Sequence, residues 1–217
     1  MFSPEQARRF YDRFGKKQDS QAFYENPALD RMIQFSDFAE AQKIVEFGCG
    51  TGRFALRLFD ECLSNDAGYR GFDISATMVD IAKRRLDGFK NRASVTLTSG
   101  SVELPAEDGS CDRFISNYVL DLLPAEQISA VINEAYRILS NNGLLCVTSL
   151  TFGKGPISRA IIAIWRTLHS ANPYLVGGCR PIEVARFISG QQWEIKNNQT
   201  VVSWGVPSDV LVARCLK

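Results

Sequence analysis

The feature that most constrains this chain is the run KIVEFGCGTGRFALRLF, which extends from Lys43 to Phe59. A short apolar stretch leads directly into three glycines at alternate positions, Gly48, Gly50 and Gly52, and a helical pattern begins at once. Glycine permits a tight turn and lets a ligand approach the backbone, and the first turn of a helix offers N–H groups without intrahelical partners. The run therefore predicts a strand, a glycine-rich loop and a helix that together bind a nucleotide-like ligand.

From residue 43 to residue 151, strand patterns alternate with helical patterns. The strand patterns cover residues 43–48, 69–74, 94–99, 111–119 and 141–151. The helical patterns cover residues 52–64, 75–89 and 124–139. This alternation is typical of a mainly parallel sheet with helices on both faces, so we predict a Rossmann-like, doubly wound α/β fold.

Other patterns flank this alternating region. Two helices are predicted before it, at residues 4–17 and 27–38, and they fit either simple packing or a lid over a site. After it come an insertion helix at 154–169, a Gly- and Pro-rich loop, a short helix at 182–189, and two β-rich runs at 193–205 and 208–217. We predict one domain over residues 1–217, with a helical cap (1–42), a core (43–151), a substrate-side insertion (152–192) and the last two strands (193–217).

Composition narrows the function classes. The formal net charge is +1, which gives no basic excess to follow a phosphate backbone, so we expect no nucleic-acid partner. None of the six cysteines forms a C-x-x-C pair, so we expect neither a metal site nor a disulfide framework, and we interpret the cysteines as reduced thiols. The first residues show no apolar signal-peptide core and no stretch approaches membrane-span length, so we expect a cytoplasmic protein without stable membrane insertion.

The spacing of the glycines and one downstream acid indicate which nucleotide-like ligand is bound. Arg53 stands where the dinucleotide fingerprint G-x-G-x-x-G has its third glycine, which weakens a pyrophosphate interpretation. Asp73 ends the next predicted strand, where a carboxylate can accept hydrogen bonds from both ribose hydroxyls. The alternative is an exposed aspartate that caps the helix beginning near Ser75. Because of its position relative to Gly48, we favour ribose binding.

Five segments, in order, resemble the motifs of class I S-adenosylmethionine-dependent methyltransferases. They are VEFGCGTG, GFDIS, SGSVELP, DRFISNYVLDLLP and RILSNNGLLCVT, and they cover roughly residues 40–150. The chain looks most like the small-molecule enzymes, similar to the quinone-biosynthesis group. The resemblance implies a mostly parallel seven-stranded sheet with an antiparallel last strand, S-adenosyl-L-methionine as cofactor, and S-adenosyl-L-homocysteine as product.

The same resemblance implies roles for individual positions. Glu46 would hold the amino end of the methionine, Asp73 the ribose, and Asn117 would lie at the methionyl end. Ser101 stands where the family often has an acid that contacts adenine. The full set of implied cofactor-binding residues is Glu46, Phe47, Gly48, Gly50, Gly52, Asp73, Ile74, Met78, Ser101, Val102 and Asn117.

Three residues are candidates for a catalytic role toward the methyl acceptor. Asp121 lies among leucines in a segment that faces the acceptor in the resembling family, although a solvent-facing loop residue or a helix cap is the alternative. His169, the only histidine, ends the insertion helix and is either a base or a packing residue. Tyr11 lies in an aromatic N-terminal segment that folds over the cofactor in related enzymes, or else packs on the domain edge.

The sequence leaves the acceptor open. We expect a small-molecule methyl acceptor, with O, N, S or C as the nucleophile, and a monomer or homodimer. Alignment of the reactants drives methyl transfer, so a base is needed only where the nucleophile must first lose a proton. The alternatives are a non-catalytic cofactor-binding or interaction module, and a protein or RNA methyltransferase that needs a partner.

Overall fold

All seven strands belong to one twisted sheet. The computed structural model describes residues 2–217. Its strands are β1 (Lys43–Phe47), β2 (Gly68–Asp73), β3 (Ala93–Leu97), β4 (Cys111–Asn117), β5 (Leu139–Leu150), β6 (Trp193–Ser203) and β7 (Val206–Cys215). The spatial order is β3-β2-β1-β4-β5-β7-β6. Strands β1 to β5 pair in parallel, whereas β7 is antiparallel to both β5 and β6, which confirms the predicted α/β fold.

Six α-helices accompany the sheet in the described part of the chain. They are α1 (Pro4–Phe14), α2 (Ala22–Phe35), α3 (Arg53–Glu61), α4 (Ala76–Arg85), α5 (Ala125–Ile138) and α6 (Pro156–Ala171). Helix α2 begins before its predicted start because a 3-10 helix, Gly15–Gln21, leads into it in helical conformation. The helix predicted at 182–189 is only a 3-10 turn, Val184–Phe187. No helix in residues 2–217 combines the length and apolar character needed to span a bilayer.

Both faces of the sheet are buried, as a parallel sheet requires. Ile44 packs on the face that also holds Leu58 of α3, whereas its neighbour Val45 packs on the opposite face with Ile132 of α5. Successive side chains of a strand point to opposite faces, so a short apolar strand such as β1 supplies both cores. Because each face has its own apolar cluster, β1 is held rigidly at the centre of the sheet.

The central strands position the site. Strands β1 and β4 are spatial neighbours, but the chain runs outward from β1 to β2 and β3 before it returns to β4. This reversal leaves a crevice at the carboxyl ends of the strands, where ligands bind in open α/β sheets. The N-terminal segment, from Phe2 to Leu29, contributes to the walls of this crevice. The division into cap, core, insertion and last strands stays a prediction.

Candidate functional site

A cavity lies at the carboxyl ends of β1, β2 and β4. Its floor comes from the glycine-rich loop and the ends of these strands, and the residues of α1, α2 and the 3-10 helix between them form what we call the roof. One end of the cavity lies beside the ends of β2 and β3, with Ile74, Gly100 and Ser101 in its walls. The other end is bordered by Tyr118, Leu122 and Leu123, which follow β4.

Two of the loop glycines are required for different reasons. The backbone at Gly50 has a φ of 53°, and a side chain there would meet no atom within 4 Å, so it would project into the cavity. Gly52 has a φ of 71°, and a Cβ atom would lie 3.1 Å from the Cα of Ala82 in α4. Gly50 therefore leaves space for a ligand, whereas Gly52 lets α3 pack closely on α4 and is not part of the cavity wall.

Asp73 is a buried acid and not the exposed cap of the alternative interpretation. Its side chain accepts hydrogen bonds from the backbone N–H of Gly50 (2.8 Å) and of Ser75 (2.9 Å). Burial raises its pKa, and the two backbone donors oppose that shift. A carboxylate has further lone pairs, so Asp73 can still accept from a ribose hydroxyl in the cavity.

Glu46 lines the cavity but is held by other side chains. Its Oε2 accepts from the hydroxyl of Tyr69 at 2.6 Å, and its Oε1 accepts from the amide of Asn117 at 3.1 Å. The amide oxygen of Asn117 in turn accepts from the hydroxyl of Thr148 at 2.9 Å. Burial raises the pKa of Glu46 to about 7. The network fixes β1, β2, β4 and β5 to one another and engages both oxygens of Glu46.

The structure brings most of the predicted cofactor residues together. Those that line the cavity are Glu46, Phe47, Gly48, Gly50, Asp73, Ile74, Met78, Ser101 and Asn117. Val102 does not, because it packs against the apolar cluster on the α5 face of the sheet. Pro4, next to Gly100, and Phe2, next to Gly178, also line the cavity, which the sequence did not predict.

The three candidate catalytic residues lie in different environments. Tyr11 lines the cavity, its hydroxyl donates to the carbonyl of Gly177 at 3.3 Å, and burial raises its pKa. Asp121 is completely buried, so it is neither solvent-facing nor a helix cap, and it lies outside the cavity wall. His169 also lies outside it, with a pKa lowered mainly by burial.

Asp121 has no ion-pair partner among residues 2–217. Its Oδ2 accepts from the N–H of Leu150 at 3.0 Å, and its Oδ1 has no hydrogen-bond partner there. Burial raises its pKa to about 7, although Arg180 and the Leu150 N–H favour the ionised form. This acid links the end of β5 to the segment after β4, behind the wall of the cavity.

Three charged side chains that line the cavity, those of Asp19, Glu25 and Arg53, were not among the predicted site residues. Glu25 of α2 and Arg53 of α3 form an ion pair, with Nη2 2.7 Å from Oε2. Burial raises the pKa of Glu25 to about 7 even though Arg53 lowers it. The available signal was weak: Arg53 followed the glycine motif, and Glu25 lay in an aromatic segment just before a proline. Tertiary packing alone brings the two together.

The backbone is strained where β4 ends. Tyr118 has a φ of 54°, a left-handed conformation that is uncommon for a bulky residue. Its hydroxyl donates to the hydroxyl of Ser208 at 2.9 Å, and its N–H donates to the carbonyl of Thr148. Strain of this kind persists only where the surroundings fix it, and it concentrates at functional sites. Here it directs the chain away from β4 and along the cavity wall.

The open space beside Gly50, the buried Asp73 and the strand–loop–helix arrangement together suit an adenosyl ligand. The family model described as "Methyltransferase domain" matches residues 44–143, the stretch that builds the floor of the cavity. This match over residues 44–143 confirms the resemblance to class I S-adenosylmethionine-dependent methyltransferases that the five motifs predicted.

The chain is also similar to individual proteins, among them two relatives and one solved structure. It is 29% identical over 157 residues to the malonyl-[acyl-carrier protein] O-methyltransferase of Marinomonas sp. (strain MWYL1), covering 71% of this chain and 55% of that protein. It is 28% identical over 124 residues to the ubiquinone/menaquinone biosynthesis C-methyltransferase UbiE of Rhizobium johnstonii, covering 57% of this chain and 47% of that protein. The chain therefore spans about half the length of these relatives. The crystal structure of the [4+2]-cyclase SpnF shares the fold, with a TM-score of 0.75 at 17% identity, covering 99% of this chain and 97% of that one.

Proposed function

We propose that this chain is an enzyme that transfers a methyl group from S-adenosyl-L-methionine to a small-molecule acceptor. The observation that carries the proposal is the pairing of the Gly50 N–H with Asp73 beneath an open cavity. Bound there, the cofactor would supply an electrophilic methyl group on a sulfonium. The match to the methyltransferase-domain model over residues 44–143 supports the same assignment.

The residues of the floor would hold the adenosyl part. Asp73 accepts from the ribose hydroxyls with the lone pairs that the Gly50 and Ser75 amides leave free. Ile74 provides an apolar surface for the adenine, and Ser101 offers a hydroxyl at its edge. No side chain projects from Gly50, so the ligand lies directly on the loop.

The wall after β4 would receive the acceptor. Val119, Leu122 and Leu123 make this wall largely apolar, and Tyr11 also lines the cavity. We infer an acceptor with an apolar body whose nucleophilic atom is aligned by Tyr11 and by exclusion of water. Asp121 and His169 lie outside the cavity and are not part of the proposed machinery.

The enzyme names of two relatives suggest which acceptors to consider. One relative is named for O-methylation of a malonyl group on a carrier protein, and the other for C-methylation of quinone precursors. The apolar wall is compatible with a quinone-like acceptor, so we propose a free small molecule rather than a protein-bound one. We further propose a cytoplasmic protein that acts as a monomer or homodimer.

A calorimetric titration tests the proposal. The purified chain should bind S-adenosylhomocysteine with micromolar affinity, and it should not bind NADH, which serves as the control ligand. Labelled S-adenosylmethionine is then offered with phenols, thiols, amines and quinone precursors. A folded protein that does not bind S-adenosylhomocysteine contradicts the proposal, and binding without transfer to any acceptor favours the non-catalytic alternative.

A further inference from the structure

Four carboxylates line the cavity, and three of them have both oxygens engaged. Asp73 accepts two backbone N–H groups, and Glu46 is held by Tyr69 and Asn117. Asp19, in the 3-10 helix, accepts from the hydroxyl of Thr51 at 2.6 Å and pairs with Arg85 at 2.6 Å. The fourth carboxylate is that of Glu25, and it differs from the other three.

Within residues 2–217, Glu25 has a partner on one oxygen only. Its Oε2 pairs with Arg53, and no hydrogen bond joins its Oε1 to any other group there. The side chain of Glu25 is 7% exposed and that of Arg53 is 27% exposed, and both line the cavity. Arg53 also donates from Nη1 to the side-chain oxygen of Asn26 at 2.5 Å. Arg53 and Glu25 thus present a cation and an anion, joined as a pair, to the same cavity.

We propose that the Arg53–Glu25 pair binds the amino-acid head of the cofactor, with Arg53 holding its carboxylate and Glu25 its ammonium group. This inference rests on the proposed function, and it moves the amino-group contact from Glu46, where the sequence resemblance put it, to Glu25. A zwitterion matches an ion pair because each of its charges meets an opposite one. The planar Arg53 guanidinium can pair with the ligand carboxylate while it keeps its contact with Glu25.

The sheet order places the pair at the correct end of the cavity. The adenine surface, Ile74 and Ser101, lies beyond the ends of β2 and β3, at one side of the sheet. Asp73 ends β2, and Arg53 is the first residue of α3, directly after the loop that follows β1. A ligand with its adenine on Ile74 and its ribose on Asp73 therefore extends along the loop toward Arg53.

A second ion pair in the same two helices provides a matched comparison. Arg57, one turn after Arg53, joins Asp30 of α2 at 2.6 Å, so both pairs link α3 to α2. Neither Arg57 nor Asp30 lines the cavity. If affinity falls because the two helices loosen, it should fall in variants of either ion pair. If affinity falls because a ligand contact is lost, it should fall only in variants of the Arg53–Glu25 pair.

The test compares two ligands that differ only at the head-group end. S-adenosylhomocysteine carries the amino-acid head, whereas 5′-methylthioadenosine keeps the adenine, ribose and thioether without it. Each is titrated calorimetrically into the wild-type chain, Glu25→Gln, Arg53→Gln and the double variant Glu25→Gln/Arg53→Gln. The double variant leaves no unpaired buried charge, so it guards against a single variant that fails to fold. The matched controls are Asp30→Asn and Arg57→Gln.

Substitutions in the Arg53–Glu25 pair should reduce the affinity for one of the two ligands only. We expect the affinity for S-adenosylhomocysteine to fall at least tenfold in the pair variants, while the affinity for 5′-methylthioadenosine changes less than twofold. The controls should bind both ligands as the wild type does. Equal losses for both ligands, or no loss for either, would overturn the inference while leaving the proposed function intact. If the folded wild type binds neither ligand, the proposed function fails, and the inference falls with it.

Discussion

The floor and the roof of the cavity are held in place by different kinds of contact. On the floor, Asp73 binds backbone amides and Glu46 belongs to a network that ties four strands together. Near the cavity, polar side chains of the roof contact the floor at Ser75 through Asp12, at Thr51 and Arg85 through Asp19, and at Arg53 through Glu25, while the opposite side of α2 packs into the apolar core. The floor is therefore fixed by contacts within the sheet, whereas the side of the roof that faces the cavity is joined to the floor by side-chain contacts that single substitutions can weaken.

The largest effect is expected on the floor, from Asp73→Ala. The variant removes the carboxylate that would accept from the ribose, and two charge-assisted hydrogen bonds of about 1.5–3 kcal/mol each correspond to a loss of about 100-fold or more. Calorimetric titration with S-adenosylhomocysteine measures this loss, and circular dichroism checks that the variant is folded. A decrease of less than about fivefold would show that the floor does not carry the binding.

The second prediction concerns Asp121, which lies outside the cavity and should affect the pH dependence of folding stability. Its pKa in the folded chain is about 7, above its ordinary value near 3.8, so the folded state binds the proton more tightly than the unfolded state does. That contribution to stability is fully present below pH 4 and is lost as the pH rises to 7. Asp121→Asn removes the buried charge, so we expect a gain on the order of 2–4 kcal/mol at pH 8 and little change at pH 4.

Thermal unfolding of wild type and Asp121→Asn at the two pH values measures that gain. For a chain of this size, it corresponds to a melting temperature about 5–15 °C higher at pH 8. Leu150 retains an acceptor in the variant, because the asparagine side chain also carries an oxygen. A variant that is equally destabilised at both pH values would contradict a raised Asp121 pKa in the folded chain.

The difference between floor and roof also explains what the sequence could predict. The floor follows from local signals: an apolar strand, glycines at fixed spacing and an acid that ends the next strand. These signals brought Gly50, Asp73 and Ile74 into one predicted site, and all three line the cavity, because the segments that carry them follow strands that are neighbours in a parallel sheet. Gly52 has the same motif position but serves helix packing, a distinction that only the contact with Ala82 shows.

The roof has no comparable local signal. Glu25 and Arg53 are 28 positions apart, and their pairing depends on how α2 lies against α3. The resemblance assigned the methionine contact to Glu46, yet Tyr69 and Asn117, from two other strands, occupy its oxygens. Asp121 illustrates the same limit, since an acid between leucines fits a solvent-facing loop as well as a buried site. Only the tertiary structure separates these cases.

The pH dependence of cofactor binding should sharpen the assignment of Glu25. An ammonium group needs an ionised partner, and burial holds the Glu25 pKa at about 7. Acidification from pH 8 to pH 6 should therefore weaken S-adenosylhomocysteine binding by up to about tenfold, because about nine-tenths of the carboxyl groups become protonated.

Other groups in the cavity also titrate, so a variant is needed to show that the pH dependence arises from Glu25. Glu46 has a pKa of about 7 as well, and Asp73 has a raised pKa. The ionisable groups that face Glu25 from the surrounding elements are Tyr11, Asp19, Tyr24, Arg53, Tyr118, Asp121 and Cys179. Glu25→Gln should flatten the profile relative to wild type, and an unchanged slope would assign the titration to Glu46 or Asp73.

The smallest effect is expected from a single attachment of the roof, in Asp19→Asn. The variant keeps an oxygen for Thr51 but weakens the ion pair with Arg85, which is partly exposed. Such pairs contribute up to about 1 kcal/mol, so dissociation of S-adenosylhomocysteine should accelerate by about two- to fivefold. Stopped-flow displacement measures this rate. Glu5→Gln is the control, because its ion pair with Arg9 lies on the exposed face of α1. If Asp19→Asn slows dissociation or leaves it unchanged, the 3-10 helix does not retain the ligand.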